Sequence, residues 1–134
     1  MCSNQARAAA AYKQVQVSSR SPLELVVMLY DGALAALGQA RDALVRRDLV
    51  TKAVCLSQAF AIIGELQSSL NLEDGQDVAA RLDAIYTYVT GRLSDANISG
   101  DAAHLDESIR LLSTLREAWA QVAARPLAAG EQQS

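Results

Sequence analysis

Side chains able to do chemistry are few in this chain of 134 residues: one histidine, two cysteines and one pair of adjacent arginines. His104 opens the stretch "HLDE". A helical histidine can accept a phosphoryl group, but phosphotransfer domains follow it with a Lys-Gly pair. Here Asp106 and Glu107 stand close behind, and their carboxylates repel a phosphoryl donor. Metal centres of helical bundles need paired Glu-x-x-His motifs, which one histidine cannot supply. The same scarcity leaves no nucleophile with a base beside it and no glycine-rich phosphate loop. Cys2 and Cys55 lie far apart without CxxC spacing, and read as free thiols of a reducing cytoplasm, with Cys55 a small core or boundary residue. The expectation is therefore no catalytic residue, no metal and no cofactor, with His104 an ordinary residue in the first turn of a helix.

Charge excludes another class. Fifteen acidic residues against twelve lysines and arginines give a formal charge of −3, and apart from Arg46-Arg47 the basic residues are scattered. A nucleic-acid binder would show a basic face interleaved with stacking aromatics, so no nucleic-acid partner is expected. What remains is apolar burial, at 51% hydrophobic but only 4% aromatic residues. Uninterrupted apolar runs reach five or six residues, as in Leu25 to Tyr30. A bilayer span takes about 20, so no stable membrane insertion is expected and the localisation reads as cytoplasmic.

Four segments carry apolar residues at helical spacing, each with a start or stop signal. Ser21-Pro22 with Glu24 forms a capping box ahead of a stripe of Leu23, Val26, Val27, Tyr30, Leu34 and Leu37. Asp48 caps a second stripe of Leu49, Ala53, Leu56, Phe60, Ile63, Leu66 and Leu70. "NLEDGQ" breaks the period, with Asp74 or Gly75 at the turn. Val78, Leu82, Ile85, Val89, Leu93 and Ala96 make the third stripe, and "NISGD" ends it. Asp101 caps the fourth, Leu105 to Val122, which stops before Pro126. Connections this short place successive helices antiparallel. The expected fold is all-α, an up-down-up-down four-helix bundle over residues 21–124, with helices at about 22–47, 49–70, 76–97 and 102–123. A flexible N-terminal arm (1–20) and a disordered tail (125–134) complete it. In the arm, "YKQVQVSS" alternates Val15 and Val17 with polar residues, which suits an extended segment lying on something.

The first helix, "SPLELVVMLYDGALAAL", has more apolar surface than one interface requires. At about 100° per residue, Leu25, Leu29, Gly32 and Ala36 fall on a strip beside the core stripe, with Met28 at its margin. Gly32 costs about 1 kcal/mol relative to alanine inside a helix, and such a residue marks close approach of another backbone. A partner helix or peptide fits that flat spot, and so does a neighbour within the bundle. Val54 and Ile62 fall off the main stripe of the second helix and extend the same surface.

The run "AYKQVQVSSRSPLELVVMLYDGALAAL" resembles the N-terminal signature of the FliS family of flagellar secretion chaperones. "LDAIYTYVTGRLSDAN" and "LDESIRLLSTLREAWAQV" resemble the family's third and fourth helices, and the similarity spans Tyr12 to Val122. The resemblance implies a four-helix bundle in the cytosol that binds the disordered C-terminal segment of flagellin, prevents premature polymerisation and aids delivery to the type III export apparatus. It also implies contact with the flagellar export gate, and an arm whose Tyr12, Val15 and Val17 cover the groove when no client is present. One departure stands at the hinge of that arm, where the family usually has Thr-Ala-Ser-Pro and this chain has Ser19-Arg20-Ser21-Pro22.

The expected client-binding residues are Leu25, Met28, Leu29, Gly32, Ala36, Val54 and Ile62. The expected partners are the flagellin C-terminal segment and the export gate, with the chaperone itself a monomer or weak homodimer. Two other readings compete. One is a generic helical interaction module that dimerises through its broad apolar face, and the other a phosphotransfer domain using His104.

Overall fold

The computed structural model describes residues 21–73 and 76–125. They form four α-helices, α1 (Pro22–Val45), α2 (Leu49–Ser68), α3 (Gln76–Ser99) and α4 (Ala102–Ala124), and no strand occurs among them. Local chemistry sets the helix starts. The Ser21 hydroxyl accepts the Glu24 N–H at 3.1 Å and the Glu24 carboxylate accepts the Ser21 N–H at 3.3 Å, closing the capping box ahead of Pro22. The Asp48 carboxylate accepts the Thr51 N–H at 3.1 Å, which lowers its pKa, and the Asp101 carboxylate accepts the Ala103 N–H at 2.9 Å.

α1 stops at Val45, short of the expected run to about residue 47. Arg47 takes the left-handed φ of 61°. Its N–H reaches the Leu44 carbonyl at 3.1 Å and the Asp48 N–H reaches the Ala43 carbonyl at 2.8 Å, so two terminal carbonyls are satisfied by turning the chain. α3 continues past Asn97 to Ser99 and ends at Gly100, whose φ is 73°.

Side-chain pairs fix the packing as antiparallel between neighbours. Arg41 pairs with Asp106, and Asp31 with Arg116, so ten residues back along α1 match ten forward along α4. Gln67 meets Asp83 and Lys52 meets Asn97, setting α2 against α3 in the same sense. Tyr88 with Glu107 and Arg92 with His104 do so for α3 and α4. α1 packs on α2 and α4, and α3 closes the ring against the same two helices. This is an all-α four-helix bundle.

Its core is aliphatic, built on Leu37, Leu56, Ile63, Val89, Leu93 and Leu112, with alanines where helices approach. Across the middle, the Tyr30 and Tyr86 hydroxyls hydrogen-bond at 2.6 Å, their ring centroids 6.4 Å apart. Burial pushes both phenols above their ordinary pKa; the bond to Tyr30 raises Tyr86 further, while bonds from Tyr86 and Trp119 partly offset the rise at Tyr30. Lys52 is buried, with its ammonium donating to the Asn97 carbonyl at 3.2 Å. It thus caps the carbonyl end of α3, where a cation suits the helix dipole.

Four positions of the expected stripes are corrected. Leu49, Ala53, Val78 and Val122 are exposed. Leu49, Val78 and Val122 lie in the end turns of their helices on sides turned away from the core, and Ala53, one turn on from Leu49, lies on the same outward edge. The reading of Cys55 as a free thiol is also corrected: it is fully buried and disulfide-bonded. By length and composition α1 and α2 are each apolar enough to cross a membrane. Here they supply the core with Tyr30, Leu37, Leu56 and Ile63.

Candidate binding face on the first two helices

Charge is unevenly shared among the helices. α2 carries only Lys52 and Glu65 in 20 residues, and Lys52 is turned inward. Its solvent side is therefore built from Val50, Ala53, Val54, Ser57, Ala61 and Gly64, with Glu65 the one charge among its exposed residues. Val50 is 76% exposed and Val54 48%. An amphipathic surface helix ordinarily covers such a side with charged and polar groups. Contiguous exposed apolar surface is a candidate for interaction.

α1 adjoins this side. A methyl group placed on Gly32 would lie 3.3 Å from Ile62 Cδ1, so the missing side chain lets α2 come close. Seven residues further along α1, Gln39 stands beside Cys55, seven back along α2. In that antiparallel register Met28 falls at the level of Leu66, one residue from Glu65, and the two helices share one outer surface.

The expected binding residues divide accordingly. Ala36 is buried at 4% exposure within the core cluster, and Leu29 and Ile62 pack partly buried against it. Leu25 and Gly32 are half-buried, while Met28 and Val54 are exposed. The structure thus brings the α1 strip and α2 together. Part of that strip is spent on the α1–α2 contact, and its outer margin is left open. Val50 and Ala61 belong to the same surface and escaped the sequence reading. The signal that could have found them is the near absence of charge from Leu49 to Ser68.

Elsewhere the surface carries ion pairs as well as single exposed apolar side chains such as Ile98 and Val78. The Arg41 guanidinium beside Asp106 holds that carboxyl below the usual carboxylate range. Arg116 donates to Asp31 at 2.8 and 3.3 Å, which raises the Arg116 pKa. His104 is half-buried, with Nδ1 3.4 Å from Arg92 Nη1. Tyr88, with Arg92 5.6 Å from its ring centroid, donates to Glu107 at 2.6 Å. Among the described residues no group of three or more His, Cys, Asp or Glu side chains is arranged to hold a metal ion. Tyr12, Val15 and Val17 lie outside the described residues.

The described residues form an all-α four-helix bundle with a nearly uncharged solvent side on α2, and comparison with known proteins gives its class a name. The chain is 42% identical over 117 residues to the flagellar secretion chaperone FliS of Salmonella typhimurium, covering 84% of this chain and 87% of the relative. It is 38% identical over 112 residues to the flagellar secretion chaperone FliSB of Pseudomonas aeruginosa, covering 81% and 89%. To the flagellar secretion chaperone FliS of Bacillus subtilis it is 36% identical over 111 residues, covering 83% and 82%. The family model described as flagellar protein FliS matches residues 4–126. The chain belongs to the FliS family, a family of chaperones and not of enzymes.

Proposed function

We propose that this chain is a cytoplasmic flagellar export chaperone. It binds the disordered C-terminal segment of flagellin along the outer face of α1 and α2, prevents premature polymerisation and hands the subunit to the type III export apparatus. The observation that carries this reading is the solvent side of α2, uncharged but for Glu65, joined to Met28, Leu25 and Gly32 of α1. A flagellin tail that would self-associate when free is held by burying its apolar side in such a surface. Ordering a disordered segment costs conformational entropy, so the surface must be long. From Val50 to Ser68 it runs about 27 Å at 1.5 Å per residue.

Between clients this surface is an aggregation hazard. Tyr12, Val15 and Val17 cover it in our reading, because a tethered segment acts at high effective concentration. That part rests on the alternation in the arm and on the family resemblance. Removing residues 1–19 is expected to raise affinity for the flagellin segment or to increase self-association of the free protein, and no change in either would exclude the cover.

Titration calorimetry with the flagellin C-terminal segment tests the main reading. One-to-one binding that falls at least about tenfold in Val54→Asp, with unfolding unchanged, is expected. A dimer that ignores the segment would overturn it and favour the self-associating module.

A further inference from the structure

Glu65 stands against its surroundings in three ways. It is the one charge among the exposed residues of α2. It sits in the last turn of that helix, where the carbonyl end of the dipole disfavours a carboxylate, and no basic residue shares that turn. Among the described residues the ion pairs join Arg41 to Asp106, Arg46 to Asp48, Arg92 to Asp95 and Arg116 to Asp31, and none reaches Glu65. A local rule broken without local gain points to a role in binding.

We infer that Glu65 reads charge on the client: the docking segment is an amphipathic helix that sets a lysine or arginine against this carboxylate. The inference rests on the proposed flagellin reading and specifies which side chain must meet which part of the face. A helix laid over Ala61 and Gly64 excludes water from Glu65 beside them. A carboxylate so desolvated stays ionised without a large penalty when a cation pairs and hydrogen-bonds with it. The small residues Ala61 and Gly64 leave room for that approach, since nothing lies within 4 Å of a methyl group placed on Gly64. The occupant therefore carries its bulky apolar residues and one cation toward the Ser68 end of α2. A second copy of the chain would bring another uncharged stripe and another Glu65, which does not complement the first.

The test uses the full chain and the C-terminal segment of the cognate flagellin in calorimetry at low and high salt, with each lysine and arginine of the segment changed in turn to glutamate. Glu65→Gln is expected to weaken binding about fivefold at low salt and to flatten its salt dependence. Glu65→Lys is expected to weaken it about tenfold or more, and one charge-reversed segment is expected to rescue it. Circular dichroism confirms that the exposed substitutions leave the bundle folded. Wild-type binding with Glu65→Gln unchanged at low salt, or Glu65→Lys rescued by no reversed segment, overturns the inference and leaves the flagellin reading standing. Absence of wild-type binding overturns that reading, and this one with it.

Discussion

Tyr30 and Tyr86 place two hydroxyls in the core and answer them with each other at 2.6 Å, the kind of pairing that is costly to half-remove. Tyr86→Phe should cost about 1–2 kcal/mol in urea unfolding. The double change Tyr30→Phe with Tyr86→Phe should cost clearly less than the two single changes added, because no orphaned hydroxyl remains. Strict additivity would mean the pair is not coupled. Arg47 is a second local matter: its left-handed φ of 61° is one that glycine adopts freely. Arg47→Gly should therefore raise stability by about 0.5–1 kcal/mol, and a loss would show that the arginine side chain does more than follow the turn. The contrast between Tyr86 and Tyr88 was open in the sequence, where both lie in "IYTYV" on different sides of one helix. Only the packing shows that Tyr86 goes in and Tyr88 goes out to Glu107.

α1 and α4 are joined along their seam by Asp31 with Arg116 and Arg41 with Asp106. The hydrogen bond from Arg41 holds Asp106 below its ordinary value of 3.8. A carboxyl with a depressed folded pKa contributes stability that is complete above 3.8 and is lost as pH falls through the lower folded value. The stability difference between wild type and Asp106→Asn should accordingly be present near about pH 6 and shrink below about pH 4. A difference that instead grew on acidification would reverse the sign and exclude this account of the seam.

The helices themselves could be read from the chain because each buries one continuous stripe and begins at a side chain that caps it. Which neighbour covers the second apolar strip of α1 could not be read. That depends on the α1–α2 register, seen in Gly32 against Ile62, and spacing within one helix carries no information about its partner's offset. Arg41 illustrates the same limit. It spoils the core stripe of α1 in the sequence, and the reason, Asp106, lies 65 residues away.

Taken as a whole, the described residues pair charge along the α1–α4 seam, within α3 and at the α1–α2 turn, and none of these pairs lies on the solvent side of α2. Val54→Asp should shift unfolding by less than about 0.5 kcal/mol, since the side chain is 48% exposed and stands outside the buried core. Function should be lost where stability is not. The most direct measurement is the change in backbone amide NMR shifts of the isotope-labelled protein on adding the flagellin C-terminal segment. The account predicts perturbations concentrated from Val50 to Ser68 and around Leu25, Met28 and Gly32, with Arg110 and Glu117 on the outer side of α4 unaffected; perturbations centred on α4, or none at saturating segment, would contradict it.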